Sequence, residues 1–166
     1  PTELCPVTVA AALNRAASLV PDLEAIVAPD GRMTYAELAA EVARIRAALA
    51  TSGIRPDDHV GICLSNGLRF VTLFLALGTL GAVSVPVNTR LKADEIAYAL
   101  RQSRVTTLFT ADRLLSADFI GLLRTIAPQM DHRLPDPALP ALRRIVVDGQ
   151  DVPGACQAWS EFMAGA

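Results

Sequence analysis

Apolar residues recur along this chain at two different spacings, and the change of spacing predicts where helices and strands lie. Behind Thr34 the apolar side chains step by three and four residues, which places them on one face of a helix: Tyr35, Leu38, Val42, Ile45 and Leu49. Thr34 and Glu37 have the spacing of a capping box, in which the hydroxyl and the carboxylate each accept a hydrogen bond from a backbone amide. Gly53 is expected to end this helix.

Short apolar runs with little alternation follow, and such runs are typical of strands that are covered on both faces. We predict strands at 59–64, 83–87, 105–110 and 144–147. Helices are predicted between and beside them, at about 8–19, 65–80, 93–102 and 113–126, with a small hairpin over 25–33 and the start of a helix at 159–163. Strands that alternate with helices favour an α/β fold, with a mostly parallel sheet flanked by helices.

Three local features refine these elements. Thr8 is expected to cap the first helix, and Asn66, which lies between a strand and a helix, is expected to cap the helix over 65–80. Alternatively, Asn66 contacts a ligand, because the carboxyl ends of strands in open α/β sheets face the binding crevice. The segment 128–141 carries four prolines and is predicted to be an irregular surface loop.

With 166 residues, the chain has the length of one domain that can bury a sizeable core.

Composition excludes several classes of protein. The net charge is −2 and no run of like charges occurs, so we expect no nucleic-acid partner, which would require a basic stripe. Residues 70–87 form the one apolar stretch of nearly membrane-spanning length. Their Thr, Gly, Ser and Pro residues predict a buried helix followed by a buried strand rather than a membrane span.

The cysteines and histidines do not have the spacing of a metal or redox site. Cys5, Cys63 and Cys156 are far apart and contain no CxxC pair, so we expect buried or free thiols in a reducing, cytoplasmic location. No signal-peptide pattern occurs at the first residues. His59 and His132 have no ligand partners at suitable spacing. No residue of the chain is therefore predicted to bind a metal.

Other candidates for chemistry are few. Ser103 is a poor nucleophile because no base is near it in sequence, and no nucleophile elbow or phosphate-binding glycine loop occurs. Trp159 is interpreted as a core anchor rather than as a stacking surface for a ligand. No residue of the chain is predicted to be catalytic.

The segment GAVSVPVNTRLKADEIAYAL, residues 81–100, carries the strongest candidate for a binding site. Asn88 and Arg90 follow an apolar strand, and the carboxyl ends of strands in open α/β sheets face the binding crevice. The guanidinium fork of Arg90 suits a phosphate. Alternatively, the loop only leads into a helix whose first turn, with Asp94 and Glu95, suits the helix dipole. Those two acids disfavour phosphate at the helix terminus, so Arg90 would act through its side chain.

The order of several segments resembles that in the N-terminal region of the adenylate-forming superfamily. The segments are TYAEL with its amphipathic helix, DHVGICLSN, LALGTLGAVSVPVNTRL and DEIAYALRQS, and the similarity spans about residues 8–147. Members of this superfamily include AMP-dependent acyl-CoA and aryl-CoA ligases, adenylation domains of peptide synthetases, and luciferases. The VPVNTRL segment resembles the acyl-CoA ligase branch, because peptide-synthetase domains usually carry Asp-Pro and an aromatic residue there.

The resemblance implies a two-step reaction in the full-length enzyme. A carboxylate attacks the α-phosphate of ATP with the help of Mg²⁺, and the thiol of CoA then displaces AMP. It also implies that Arg90 contacts the nucleotide phosphate of CoA and that Asn88 positions the loop. Lys92 departs from the family pattern, in which Ser or Thr often caps the following helix.

The segments of the family that hold ATP do not occur in this sequence. These are the Ser/Thr/Gly-rich loop ending in lysine, the adenine and ribose motifs, the hinge and the C-terminal catalytic lysine. The 166 residues are therefore expected to be a truncated N-terminal AMP-binding domain, inactive alone, whose partners are a carboxylic acid, ATP, CoA and the remainder of its own chain. Exposed apolar surface would then favour self-association. Two alternatives remain: a non-catalytic binding module, and an enzyme that loads a carrier-protein thiol.

Overall fold

The computed structural model describes residues 8–114 and 117–165 of the chain, so Cys5 lies outside the described residues. The helices in these ranges are α1 (Val9–Leu19), α2 (Tyr35–Thr51), α3 (Leu68–Leu80), α4 (Ala93–Gln102), α5 (Phe119–Ile126) and α6 (Trp159–Ala164), with a 3-10 turn at Pro128–Asp131. The strands are β1 (Glu24–Ala28), β2 (Gly31–Thr34), β3 (His59–Cys63), β4 (Val83–Pro86), β5 (Thr107–Ala111), β6 (Arg113–Leu114), β7 (Ala117–Asp118), β8 (Arg144–Asp148) and β9 (Gln157–Ala158).

A five-stranded parallel sheet forms the centre of the fold, in the order β4-β3-β5-β8-β9. Within it Val60 lies opposite Ser84 on one side and Thr107 on the other. Two short antiparallel hairpins, β1-β2 and β6-β7, lie outside this sheet. The predicted α/β fold with a mostly parallel sheet is therefore confirmed.

Helices cover both faces of the sheet because successive side chains of a strand point to opposite faces. Val60 and Ile62 of β3 belong to a core that they share with α1, α2, α3 and α6. Cys63 belongs to a second core, which contains residues of α4, α5 and the segment after the 3-10 turn. This double coverage explains why the strands lack an alternating pattern of polar residues.

Gly61, between those two β3 residues of the first core, leaves room for side chains of the neighbouring strand β5 and of the residues just before it. A Cβ atom at this position would lie 2.9 Å from Leu108 Cδ1 and 3.1 Å from Val105 Cγ1. Both of those side chains are almost completely buried. A larger residue at Gly61 would therefore push the packed side chains apart.

The predicted caps of α1 and α2 are confirmed. The Thr8 hydroxyl accepts a hydrogen bond from the Ala11 amide at 3.1 Å. Thr34 and Glu37 form the reciprocal capping box, with the Glu37 carboxylate 2.8 Å from the Thr34 amide. The Glu41–Arg44 pair on the exposed face of α2 is also present, with two contacts of 2.9 Å.

The predicted cap of α3 by Asn66 is wrong. The N-cap residue is Gly67, and the Leu68 amide instead donates to the carboxylate of Asp30, at 3.0 and 3.2 Å. Asp30 lies in the turn of the β1-β2 hairpin, so its carboxylate ties this hairpin to the start of α3. A Cβ atom on Gly67 would lie 2.6 Å from that carboxylate, so the absence of a side chain there permits the contact.

The predicted helix over 113–126 begins later than expected. Residues 113–114 and 117–118 form the β6-β7 hairpin, and Leu115 and Ser116 lie outside the described residues. The Asp118 side chain accepts a hydrogen bond from the Gly121 amide at 2.8 Å and caps α5. Since Asp at the N-cap stabilises a helix that starts just after it, α5 begins at Phe119.

The proline-rich segment contains buried residues as well as surface residues. Met130 and Leu139 contribute to the second core. The Asp136 carboxylate, only 3% exposed, accepts hydrogen bonds from the Gln129 and Ala138 amides at 2.9 and 2.8 Å. These bonds compensate the cost of burying the carboxylate and hold an otherwise irregular backbone.

Residues 70–87 form most of α3 and all of β4, so the predicted helix and strand are present. The strand is not buried as predicted, because β4 lies at the edge of the sheet and its residues are exposed or half-buried. Within the described part of the chain, no helix has both the length and the apolar character required to cross a bilayer.

We expect Asp30→Ala to lower the free energy of unfolding by about 1 kcal/mol, because it removes the cap of α3. Asp30→Asn keeps an acceptor oxygen and should lose only a small part of that stability. Urea denaturation followed by circular dichroism measures both values. Asp22→Ala, in the exposed loop before β1, is the matched control and should leave the midpoint unchanged. Equal stability of Asp30→Ala and the parent protein would contradict the assignment of Asp30 as the cap.

Phe109 is fully buried at the centre of an aromatic cluster, with ring centroids 5.8 Å from Trp159 and 5.1 Å from Phe162. We expect Phe109→Ala to cost roughly 3–5 kcal/mol of folding free energy, because it leaves a cavity. Phe74→Ala removes the same ring from a side chain that is 40% exposed and should cost roughly 0.5–1 kcal/mol. Thermal denaturation of the two variants compares them, and similar losses would contradict the burial argument.

Candidate functional site

A cleft of about 790 Å³ opens at the carboxyl ends of the central strands. One wall follows β3 and consists of Leu64, Ser65 and Asn66. The rest of the lining comes from residues 86–90 at and beyond the end of β4, from Phe70 on α3, and from Leu114 and Ala117 of the β6-β7 hairpin. Apolar and polar surfaces are both present, so this cleft suits a ligand with both kinds of surface.

The cleft lies where the strand order reverses. The chain leaves β3 through α3, which packs in the first core, and leaves β4 through α4, which packs in the second core on the opposite face. The two loops that follow these neighbouring strands therefore diverge and leave a crevice between them. In open parallel sheets this is the usual position of a ligand site.

Hydrogen bonds fix the backbone of the loop after β4. The Val87 amide donates to the Ile62 carbonyl at 2.8 Å, which holds the start of the loop against β3. The Asn88 side-chain oxygen accepts a hydrogen bond from the Arg90 amide at 2.9 Å, in the manner of an Asx turn. Asn88 therefore positions the backbone of Arg90, whose side chain is exposed at the cleft.

Asn66 lies on the opposite side of the same cleft and is exposed. Because Asp30 provides the cap of α3, the amide group of Asn66 is not needed for this purpose. The structure thus places Asn66, Asn88 and Arg90, which are up to 24 residues apart in sequence, around one cleft.

Helix α4 begins directly after this loop, and its cap differs from the expected one. Lys92 occupies the N-cap position without a side-chain cap, while the Glu95 carboxylate accepts a hydrogen bond from the Lys92 amide at 2.8 Å. Asp94 and Glu95 in the first turn also complement the helix dipole. The helix is therefore stabilised despite lacking Ser or Thr at its N-cap.

A second group of residues near the carboxyl edge was not identified from the sequence. Arg69, in the first turn of α3, forms an ion pair with Asp148 at the end of β8, with Nε 2.8 Å from Oδ2. Its guanidinium also lies 4.4 Å from the ring centroid of Trp159. Trp159 thus packs against the core, as predicted, and carries a cation–π contact as well. No local motif indicates this group, because its members are separated by up to 90 residues.

The histidines and the metal-ligating residues do not form a site in the described ranges. The ring Nδ1 of His59 lies 2.6 Å from the Ser103 carbonyl, which joins the start of β3 to the end of α4. His132 is exposed beside the 3-10 turn. Among residues 8–114 and 117–165, no group of three His, Cys, Asp or Glu side chains is arranged to hold a metal ion.

Cys63 lies at the end of β3, just below the cleft, and is buried. Burial raises the pKa of its thiol to about 11, although a hydrogen bond with Thr110 acts in the opposite direction. Burial likewise raises the pKa of the Cys156 thiol to about 12, with a further increase from Asp131. Both thiols are therefore protonated at neutral pH and unsuited to act as nucleophiles.

In a Cys5→Ser variant we expect the remaining thiols to react with Ellman's reagent at pH 8 at least about a hundredfold more slowly than glutathione, because Cys63 is buried, Cys156 is half-buried and both are protonated. After unfolding in urea both thiols should react at the rate of free cysteine. The absorbance of the released thionitrobenzoate measures the reaction. Rapid reaction of a thiol in the native protein would contradict the assigned burial.

Residues 13–161 match a family model described as AMP-binding enzyme. A 3-(7a-methyl-1,5-dioxo-octahydro-1H-inden-4-yl)propanoyl:CoA ligase from Rhodococcus jostii strain RHA1 is 34% identical over 161 residues, which cover 96% of this chain and 30% of that enzyme. The long-chain-fatty-acid–CoA ligase FadD13 from Mycobacterium tuberculosis is 41% identical over 93 residues, which cover 55% of this chain and 18% of that ligase.

A solved structure is similar over nearly the same range. The anthranilate CoA ligase AuaEII, determined in complex with anthranoyl-AMP, superposes with a TM-score of 0.77 at 26% identity, covering 95% of this chain and 27% of that chain. The present chain thus spans less than a third of the length of each of these relatives.

Proposed function

This chain belongs to the AMP-binding enzyme family, and on that premise we propose that it is the N-terminal part of an AMP-forming ligase that joins an acyl or aryl acid to CoA. The observation that carries the proposal is the 34% identity with the Rhodococcus CoA ligase over 96% of this chain. In the complete enzyme a carboxylate oxygen attacks the α-phosphorus of ATP and pyrophosphate leaves. The sulfur of CoA then attacks the acyl carbon, and AMP leaves as the thioester forms.

Within such an enzyme, these residues would supply the sheet and one wall of the ligand cleft. The single lysine of the sequence, Lys92, opens α4 and does not belong to a Gly-rich loop. We therefore assign the phosphates and adenine of ATP to residues outside these 166 positions. On this assignment the segment alone is inactive, and none of its residues is catalytic.

Arg90 is the residue that we assign to the phosphate of CoA. Its backbone is held by the Asx turn of Asn88, while its guanidinium is exposed at the cleft. Within the described ranges it forms no ion pair, so both sides of its fork are available to phosphate oxygens. Asn88 is a positioning residue in this scheme, because it contacts the backbone of Arg90 rather than the ligand.

Magnesium would assist the first step by neutralising the charge of the ATP phosphates. The described residues do not form a ligand set for it. We therefore assign no residue of this segment to Mg²⁺ and derive no step through it.

The prediction of self-association has a structural basis. The largest exposed apolar side chains include Leu19, Val20, Leu23 and Val27, which follow one another from the end of α1 to β1. Such a group favours contact with another apolar surface.

A carrier-protein thiol as the acceptor, and a non-catalytic binding role, remain the alternatives to the CoA ligase.

In the complete gene product, we expect Arg90→Ala to raise the KM for CoA roughly tenfold, because a charge-assisted hydrogen bond contributes about 1.5 kcal/mol. The rate of ATP–pyrophosphate exchange should stay unchanged, since it precedes CoA binding. Dephospho-CoA, which lacks a phosphate, should bind the parent enzyme and the variant equally. Steady-state kinetics with both thiols measure these values.

Arg46→Ala, on the exposed side of α2, is the matched control and should change neither constant. An unchanged KM for CoA in Arg90→Ala would contradict the role of Arg90 but leave the ligase reaction in place. Exchange with no thioester formed from CoA, but with loading of a carrier protein, would instead favour the carrier-protein alternative. A complete gene product without ATP–pyrophosphate exchange would favour the binding module.

A further inference from the structure

Asp112, which lies between β5 and β6, joins three segments near the candidate cleft. Its carboxylate accepts hydrogen bonds from the Arg113 amide at 2.6 Å, the Gln150 amide at 2.7 Å and the Asp151 amide at 3.3 Å. Its backbone carbonyl accepts a hydrogen bond from the Phe119 amide at 3.0 Å, directly after β7. One residue thus binds the start of the β6-β7 hairpin, the residue after that hairpin and the loop after β8.

The loop after β8 is itself held in place at both ends. The carboxylate of Asp148, just before the loop, forms the ion pair with Arg69 of α3. The carboxylate of Asp151, at the other end, forms an ion pair with Arg124 of α5, with Oδ2 2.8 Å from Nη1. The amides that Asp112 accepts therefore belong to a segment whose position is set by two helices.

Gly149 allows this loop to approach Asp112. A Cβ atom on Gly149 would overlap the carboxyl group of Asp112. The backbone of Gly149 does not have a positive φ angle, which would by itself favour glycine. The close contact with Asp112, rather than the conformation of the turn, therefore requires a residue without a side chain.

The hairpin that Asp112 holds forms one wall of the cleft. Leu114 and Ala117 line the same cleft as Arg90, and they are half-buried and exposed, so both offer surface to a ligand. Within the described ranges the strands of this hairpin pair only with each other and not with the central sheet. Apart from the packing of Leu114 against the second core, the position of this wall depends on the bonds of Asp112.

The charge of Asp112 is directed at backbone amides and not at the cleft. The hydrogen bond from the Gln150 amide, with those from Asp151 and Arg113, lowers the pKa of the Asp112 carboxyl, although partial burial acts in the opposite direction. The group is therefore ionised at neutral pH, and both of its oxygens are acceptors. Among the described residues Asp112 does not belong to the lining of the cleft, so it can act on a ligand only through the hairpin.

From these contacts we propose that Asp112 is a positioning residue for CoA, because it holds Leu114 and Ala117 at the cleft before the ligand binds. This inference rests on the proposed function, in which the cleft binds CoA. A wall that is already formed favours binding, since the cost of ordering it is not subtracted from the binding free energy. Loss of Asp112 should then weaken CoA binding without slowing the chemical steps.

Steady-state kinetics of the complete gene product test the proposal. Asp112→Ala should raise the KM for CoA about five- to tenfold, because the wall is then in place in only a fraction of the molecules. Both kcat and ATP–pyrophosphate exchange should stay unchanged, whereas a general loss of structure would lower them. Asp112→Asn retains an acceptor oxygen and should give an intermediate KM.

Asp136→Ala is the matched control. It removes a carboxylate that likewise accepts two backbone amides, but in the proline-rich segment and not beside the cleft. Its melting temperature should fall while its KM for CoA stays unchanged. A KM raised as much as in Asp112→Ala would overturn the proposal, because lost stability alone would then explain the effect.

Gly149→Ala tests the same contact from the other side. The added methyl group would displace the Asp112 carboxyl, so the KM for CoA should rise by a similar factor. Asp112→Ala combined with Gly149→Ala should show no further increase, because the carboxyl group that the methyl would overlap is already absent. Effects of the two single variants that multiply in the double variant would overturn the proposal.

Hydrogen exchange without any ligand separates this inference from the proposed function. In mass spectrometry, peptides that contain Arg113 and Gln150 should exchange faster in Asp112→Ala than in the parent protein, and unchanged exchange would overturn the proposal. A KM for CoA that rises in Arg90→Ala but not in Asp112→Ala would also overturn it, while leaving the CoA site in place. If neither substitution changes this KM, the assignment of the cleft to CoA is wrong, and the role of Asp112 is overturned with it.

Discussion

The central strands β3, β5 and β8 are buried on both faces, and most other features of the structure follow from this. A parallel strand can follow its neighbour only through a crossover, so each strand of the sheet is followed by a connection that returns over one face. Alternate side chains of β3, β5 and β8 then belong to two separate cores. At the carboxyl ends of β3 and β4, helices α3 and α4 leave for opposite faces of the sheet, and a cleft forms between the two loops.

Elements whose signal lies within a few residues could be predicted from the sequence. The stripe and capping box of α2 and the apolar runs of β3, β4 and β8 depend on local spacing, and the structure contains them at nearly the expected positions. The cap of α3 could not be predicted, because Asp30 is 38 residues from Leu68. The start of α5 was misjudged because the apolar pattern continues through the β6-β7 hairpin, and Asp118 decides the boundary.

In the candidate site, too, residues with a local sequence signal could be identified, and contacts between residues far apart in sequence could not. Asn66, Asn88 and Arg90 were found because each follows an apolar run, and parallel strands bring such positions to one edge. The contact of Arg69 with Asp148 and Trp159 was missed, because it requires the order of the strands and the position of α6 after β9.

The distant cap of α3 has a consequence for how the protein folds during synthesis. The ribosome releases the β1-β2 hairpin and α2 before α3, so the carboxylate that α3 needs is already present when its first turn emerges. The hairpin and α3 then gain stability together, because the amide of Leu68 finds its acceptor only on a docked hairpin. A deletion that shortens the turn around Asp30 would thus fray a helix far downstream, and nascent chains would expose the apolar residues of α3 for longer.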